Sequence, residues 1–104
     1  MTKKLIYISQ EKLSNKVIRD WFIEDFSQQD YQIEFWDITY LIEKNNQPNL
    51  AYKDIELIEF NNIIDLENQI KVNKTEKPYY VLIIPYTYEA LRIYKLISKH
   101  NLFT

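Results

Sequence analysis

The chain has 104 residues, 46% of them hydrophobic, and a formal net charge of −2. That is enough for one small domain with a single core, and it argues against disorder and against a generally nucleic-acid-binding surface. With no cysteine and no glycine, the chain has no disulfide or thiolate chemistry, and no dinucleotide fingerprint or Walker loop, because both loops need backbone positions without a Cβ.

Taken in order, residues 3–9 (Lys-Lys-Leu-Ile-Tyr-Ile-Ser) read as the first strand. A loop over 10–13 leads to a helix N-capped by Ser14 and running to 28–30. Its apolar stripe is Val17, Ile18, Trp21, Phe22 and Phe26, at helical spacing. Trp21 or Phe22 could stack on a cofactor, but packing against the sheet is the simpler assignment. Residues 31–38 form the second strand, with Ile33 and Phe35 on its better-buried face and Gln32 and Glu34 opposite. A short helical turn over 39–44 follows, and 45–49 is the least ordered stretch. Residues 55–60 make a third strand, placed at an edge by its two glutamates. Asn61 or Asn62 caps the next helix, whose apolar positions are Ile63, Ile64, Leu66, Ile70 and Val72. After a polar connector over 71–77, residues 79–84 form the fourth strand. Its unbroken apolar run between Pro78 and Pro85 predicts burial on both faces. Thr87 caps the last helix, with Ala90, Leu91, Tyr94, Ile97 and Ser98 facing inward and Asn101 as its breaker.

This alternation predicts an α/β, Rossmann-like three-layer sandwich over 1–104: a parallel four-stranded sheet in the order 3-2-1-4 with helices on both faces. Ligands in such sheets sit beyond the C-terminal strand ends, where the winding reverses. That places a crevice between Ser9, Gln10, Glu11 and Lys12 on one side and Tyr86, Thr87, Tyr88 and Glu89 on the other. Glu11 and Glu89 could form an acid/base pair, or each could simply flank a helix. Tyr86 and Tyr88 offer a stacking platform for a sugar or base; Tyr79 and Tyr80 pack at a strand entrance. Asp37 stands where dinucleotide-binding folds hold a ribose, yet without the glycines it reads as a turn or cap residue. His100, the lone histidine, reads as a surface residue favoured by the helix dipole. No metal site and no cofactor are expected. A phosphoacceptor receiver domain fails on chemistry, since the first strand is followed by Ser9-Gln10-Glu11 and the third by Asn61-Asn62. No apolar run approaches the roughly 18 residues of a membrane span, and the first strand is too short for a signal sequence. A cytoplasmic chain without a transmembrane segment or nucleic-acid partner is the expectation.

The run Lys4-Leu-Ile-Tyr-Ile-Ser, the stretch Tyr31-Gln-Ile-Glu-Phe-Trp-Asp-Ile-Thr39, the strand Tyr80-Val-Leu-Ile-Ile-Pro-Tyr86 and the helix Leu91-Arg-Ile-Tyr-Lys-Leu-Ile-Ser-Lys-His-Asn101 together resemble the N-terminal region of bacterial surface-polysaccharide biosynthesis proteins, which are glycosyltransferase-like. The resemblance implies an N-terminal piece of a longer protein. It also implies an acceptor-side or scaffold surface facing a glycan acceptor and a downstream domain, without a complete catalytic site. No catalytic residue is carried over. The alternative is a non-catalytic α/β interaction module working through an exposed edge or through oligomerisation.

Overall fold

The computed structural model describes residues 3–42, 48–84 and 91–99. Four strands, β1 (Lys3–Ser9), β2 (Tyr31–Asp37), β3 (Ile55–Glu59) and β4 (Tyr79–Ile83), form one all-parallel sheet in the order β3-β2-β1-β4. Ser9 pairs with Asp37 on one side and Ile83 on the other, so three strand ends meet at one edge. The helices are α1 (Asn15–Asp20), α2 (Ile23–Ser27), the single turn α3 (Thr39–Ile42), α4 (Ile63–Asn73) and α5 (Leu91–Lys99), with a 3₁₀ turn at Lys74–Glu76. This is the expected α/β, Rossmann-like sandwich.

Successive strand residues point to opposite faces, which splits the core in two. Leu5, Tyr7, Ile33 and Phe35 pack with Leu13, Val17, Ile18 and Ile23 from the α1/α2 side. Ile6, Ile8 and Trp36 pack with Leu66 and Ile70 of α4 and with Ile93, Leu96 and Ile97 of α5. Leu50 and Tyr52, from the irregular segment ahead of β3, also pack against the first core.

Several elements depart from the sequence reading. The first helix is two. Ser14 caps α1 as expected, its Oγ accepting from the Val17 N–H at 3.2 Å. The helix then breaks at Phe22, which adopts the left-handed region at φ 57°. Ile23 thereby enters the core fully buried, while Trp21 and Phe22, assigned to the apolar stripe, are exposed. The break satisfies a core group: the hydroxyl of fully buried Tyr7 donates to the Trp21 carbonyl at 2.7 Å. Burial pushes that phenol up to about 12. Because the chain has no glycine, left-handed positions fall to other residues: besides Phe22, Asp30, Asp54 and Lys77 have positive φ just ahead of β2, β3 and β4. Aspartate tolerates this conformation better than most residues.

The fourth strand is not buried on both faces. β4 lies at a sheet edge, with Tyr79 exposed and Tyr80, Val81 and Leu82 half-buried. The doubly covered strands are β1 and β2, buried over their last five residues. In β2 this includes Glu34, assigned to the more exposed face. Its carboxylate lies 3.0 Å from the Lys4 ammonium and accepts from the Trp36 indole at 2.9 Å, while Lys4 also donates to buried Asn73 at 2.8 Å. On α4, Ile64 and Val72 are exposed, and Leu66, Ile70 and Asn73 form the inner face. On α5 the inner face is Ile93, Leu96 and Ile97; Leu91 and Ser98 are exposed and Tyr94 is half-buried. Ala90, His100 and Asn101 lie outside the described residues.

Candidate functional site at the C-terminal strand ends

The loop after β1 is tied down at each of its first residues. The Ser9 side chain, fully buried, accepts from the Glu11 N–H at 2.9 Å and bonds the Glu11 carbonyl at 2.8 Å, closing a tight turn. The Gln10 N–H donates to the Ile83 carbonyl at 2.9 Å, fastening the loop to the end of β4. Lys12 then turns away from β4 and inward over the end of β2.

There Asp37 is a hub. It is 2% exposed. It accepts from the Lys12 ammonium at 2.6 Å, from the Asn49 amide at 2.9 Å and from the Thr39 N–H at 2.8 Å, and the Thr39 hydroxyl also donates to it. Burial alone pushes its pKa upward; the bonds from Lys12, Thr39 and Asn49 outweigh that and hold the carboxyl below its ordinary value. The Lys12 ammonium also lies 5.5 Å from the centre of the Tyr40 ring and 4.0 Å from the Glu59 carboxylate. Asn49 closes the knot, because its side-chain oxygen accepts from the Leu13 N–H at 2.7 Å. The end of the stretch read as least ordered is therefore an anchor; residues 45–47 lie outside the described residues. An aspartate with both oxygens engaged and its charge matched is a poor general base and has no oxygen to spare for a ribose. Its role is the turn-and-cap role, extended to pinning three segments together.

On the β4 side the strand ends open into a groove of about 440 Å³ lined by Gln10, Glu11, Lys16, Asp20, Trp21 and residues 82–84. The β1 half of the expected crevice thus divides. Gln10 and Glu11 reach the groove, while Ser9 and Lys12 serve the loop and the hub. The other expected half, Tyr86, Thr87, Tyr88 and Glu89, lies outside the described residues, and so does one partner of the suggested Glu11–Glu89 pair. Lys16 and Asp20 went unrecognised in the sequence, and Trp21 was assigned to sheet packing ahead of a stacking role. Lys16 and Asp20 form an i,i+4 ion pair at 2.8 Å. The hydrogen bond between them raises the lysine pKa and lowers that of the aspartate. The i,i+4 spacing directly after a cap was a usable signal. Trp21 had none, because its position follows from the break at Phe22.

Among the described residues, no group of three His, Asp or Glu side chains could hold a metal ion, and no helix is long and apolar enough to cross a membrane. No family model, curated protein or solved structure matches the chain.

Proposed function

We propose that this chain is the Rossmann-like, acceptor-side domain of a bacterial glycosyltransferase-like protein of surface-polysaccharide biosynthesis. It acts in the cytoplasm, holds a glycan acceptor and is not catalytic by itself. The observation that carries the reading is the groove at the adjoining ends of β1 and β4. The helix after β1 packs on one face of the sheet and α5 on the other, and helices on opposite faces beyond adjoining strand ends are the arrangement that opens ligand crevices in parallel sheets. Gln10, Glu11 and Asp20 supply acceptors and donors for hydroxyl groups, and Trp21 supplies an aromatic surface. The resemblance of the strands and last helix to polysaccharide biosynthesis proteins points the same way. Chemical-shift mapping with cellobiose as the probe glycan tests this. Perturbations at Gln10, Glu11 and Asp20 are expected, and perturbations confined to α4 or to β3 refute the placement.

A second reading, an α/β interaction module, is favoured by Ile64 and Val72, two large apolar side chains left exposed on the outer face of α4. A concentration-dependent dimer that Ile64→Asp/Val72→Asp abolishes is the result that selects it.

A further inference from the structure

We propose that the free edge of β4 pairs with the β4 edge of a second copy of this chain. The two strands run antiparallel about a two-fold axis at Val81 and join two sheets into one. This goes beyond the ligand reading of the groove and uses a surface separate from the outer face of α4. The argument starts from the direction of the β4 backbone. Among the described residues its one strand neighbour is β1. The Ile83 carbonyl accepts from the Gln10 N–H at 2.9 Å, so Ile83 turns its backbone polar groups toward β1. Strand residues alternate in this respect, so Tyr79 and Val81 also face β1, and Tyr80 and Leu82 aim N–H and C=O away from the sheet. Those groups form the row that a further strand would meet.

Three features fit this row to itself. The first is its register. Antiparallel pairing about Val81 sets Tyr80 opposite Leu82 of the second copy, and each such pair exchanges both N–H···O bonds. Val81 meets its own copy in the close position between them, where β-branched side chains pack well. The same register sets Pro78 opposite Ile84. Proline has no N–H to give, and the Ile84 carbonyl needs none, because the Tyr94 hydroxyl of α5 donates to it at 2.7 Å. The second feature is the lack of a guard. The opposite edge strand, β3, carries exposed Glu56 and Glu59, and charge is a common means by which edge strands avoid pairing. β4 has no charged residue over Tyr79–Ile83, and Tyr79 is 55% exposed. The third is charge at the two ends. Lys3, its ammonium 4.7 Å from the centre of the Tyr79 ring, and exposed Lys77 flank the start of β4. Glu11 lies beside its end, in the loop that Gln10 fastens to Ile83. Antiparallel pairing brings the start of one β4 to the end of the other, so cations of one copy approach the carboxylate of its mate. These are matches of the edge to itself, and they single out a second copy over an unrelated strand.

The contact is small, so the dimer is a weak one. Sedimentation equilibrium from about 10 μM to about 1 mM should show monomer giving way to dimer. Over the same range amide hydrogen exchange at Tyr80 and Leu82 should slow several-fold, while Val81 and Ile83, whose N–H groups face β1, change far less. A mixture of ¹³C-labelled and unlabelled copies should show a nuclear Overhauser contact between the Val81 Hα atoms of the two chains, which only this register brings together. Val81→Glu places like charges on the axis and should give a monomer, its fold checked by the fluorescence of buried Trp36. Ile64→Asp/Val72→Asp, on the outer face of α4, should leave the dimer intact. The proposal is overturned by a wild-type chain that stays monomeric throughout, or by a dimer that the α4 changes abolish. Tyr80 and Leu82 amides already protected at the lowest concentration would overturn it too, since the edge would then be covered within one chain. If Val81→Glu does not fold, the wild-type exchange and the Val81 contact decide the matter.

Discussion

Asp37→Ala is the most informative single change in this fold. It leaves the Lys12 ammonium, only 9% exposed, without the carboxylate it touches at 2.6 Å. It also strips the Thr39 N–H and the Asn49 amide of their acceptor. Breaking a buried pair by removing one partner costs about 3–5 kcal/mol, and each orphaned buried donor costs roughly 1–3 kcal/mol when no water reaches it. Two features keep the total near the low end. The Glu59 carboxylate at 4.0 Å is more than half exposed and offers Lys12 a partial substitute, and the cavity left by the aspartate admits water. A loss of about 4 kcal/mol is expected, a large share of the roughly 5–15 kcal/mol that stabilises a small domain. Urea unfolding followed by the fluorescence of buried Trp36 measures it. The double variant Lys12→Met/Asp37→Leu should recover most of the loss, since it removes both charges together. The pH dependence carries the same signature. The folded carboxyl sits below its ordinary value, so its contribution is fully present above the unfolded pKa of about 4 and is lost as pH falls through the folded value. Asp37→Asn should flatten that acid limb. A stability for Asp37→Ala within about 1 kcal/mol of wild type, or a double variant no better than the single, would refute the hub as a structural knot.

Ile70→Ala should cost about 2–5 kcal/mol and Val72→Ala under about 0.5 kcal/mol by the same denaturation, since the first is fully buried and the second 68% exposed; equal losses would mean α4 is rotated. Lys77→Gly should stabilise by about 1 kcal/mol, because the lysine holds φ 49°, and a lower melting temperature would contradict that backbone assignment. Lys4→Met leaves buried Glu34 without its cation and should destabilise by about 3 kcal/mol. In the wild type, burial lowers the Lys4 pKa, but the bonds to Glu34 and Glu76 raise it further. That contribution is therefore present at neutral pH and fades as pH rises through the folded value above 10.5, a fade that Lys4→Met should abolish in an alkaline unfolding series.

What the chain order determines by itself is local. Strand identity is written in short apolar runs bounded by caps and prolines, and β1 occupies the residues read for it. The alternation of such runs with capped helical segments leaves few parallel topologies, and the order β3-β2-β1-β4 follows from it. The cap Ser14 was legible for the same reason, and the second cap was narrowed to Asn61 or Asn62, of which Asn62 holds the position, since a side chain bonding an N–H three residues on needs no tertiary information. Of the groove, Gln10 and Glu11 were legible from topology. The tertiary structure decided the rest. An apolar run does not say whether its strand sits in the middle or at the edge, and β4 turned out half-covered while β2 was buried through Glu34 and Asp37. Charge inside β2 is tolerated only because Lys4 and Lys12 arrive from distant positions in the chain to neutralise it. Trp21 faces the groove for a comparable reason. The α1–α2 break that puts it there is set by Ile23 filling the core and by the Tyr7 hydroxyl taking a helix carbonyl, contacts between segments that no periodicity along one segment contains.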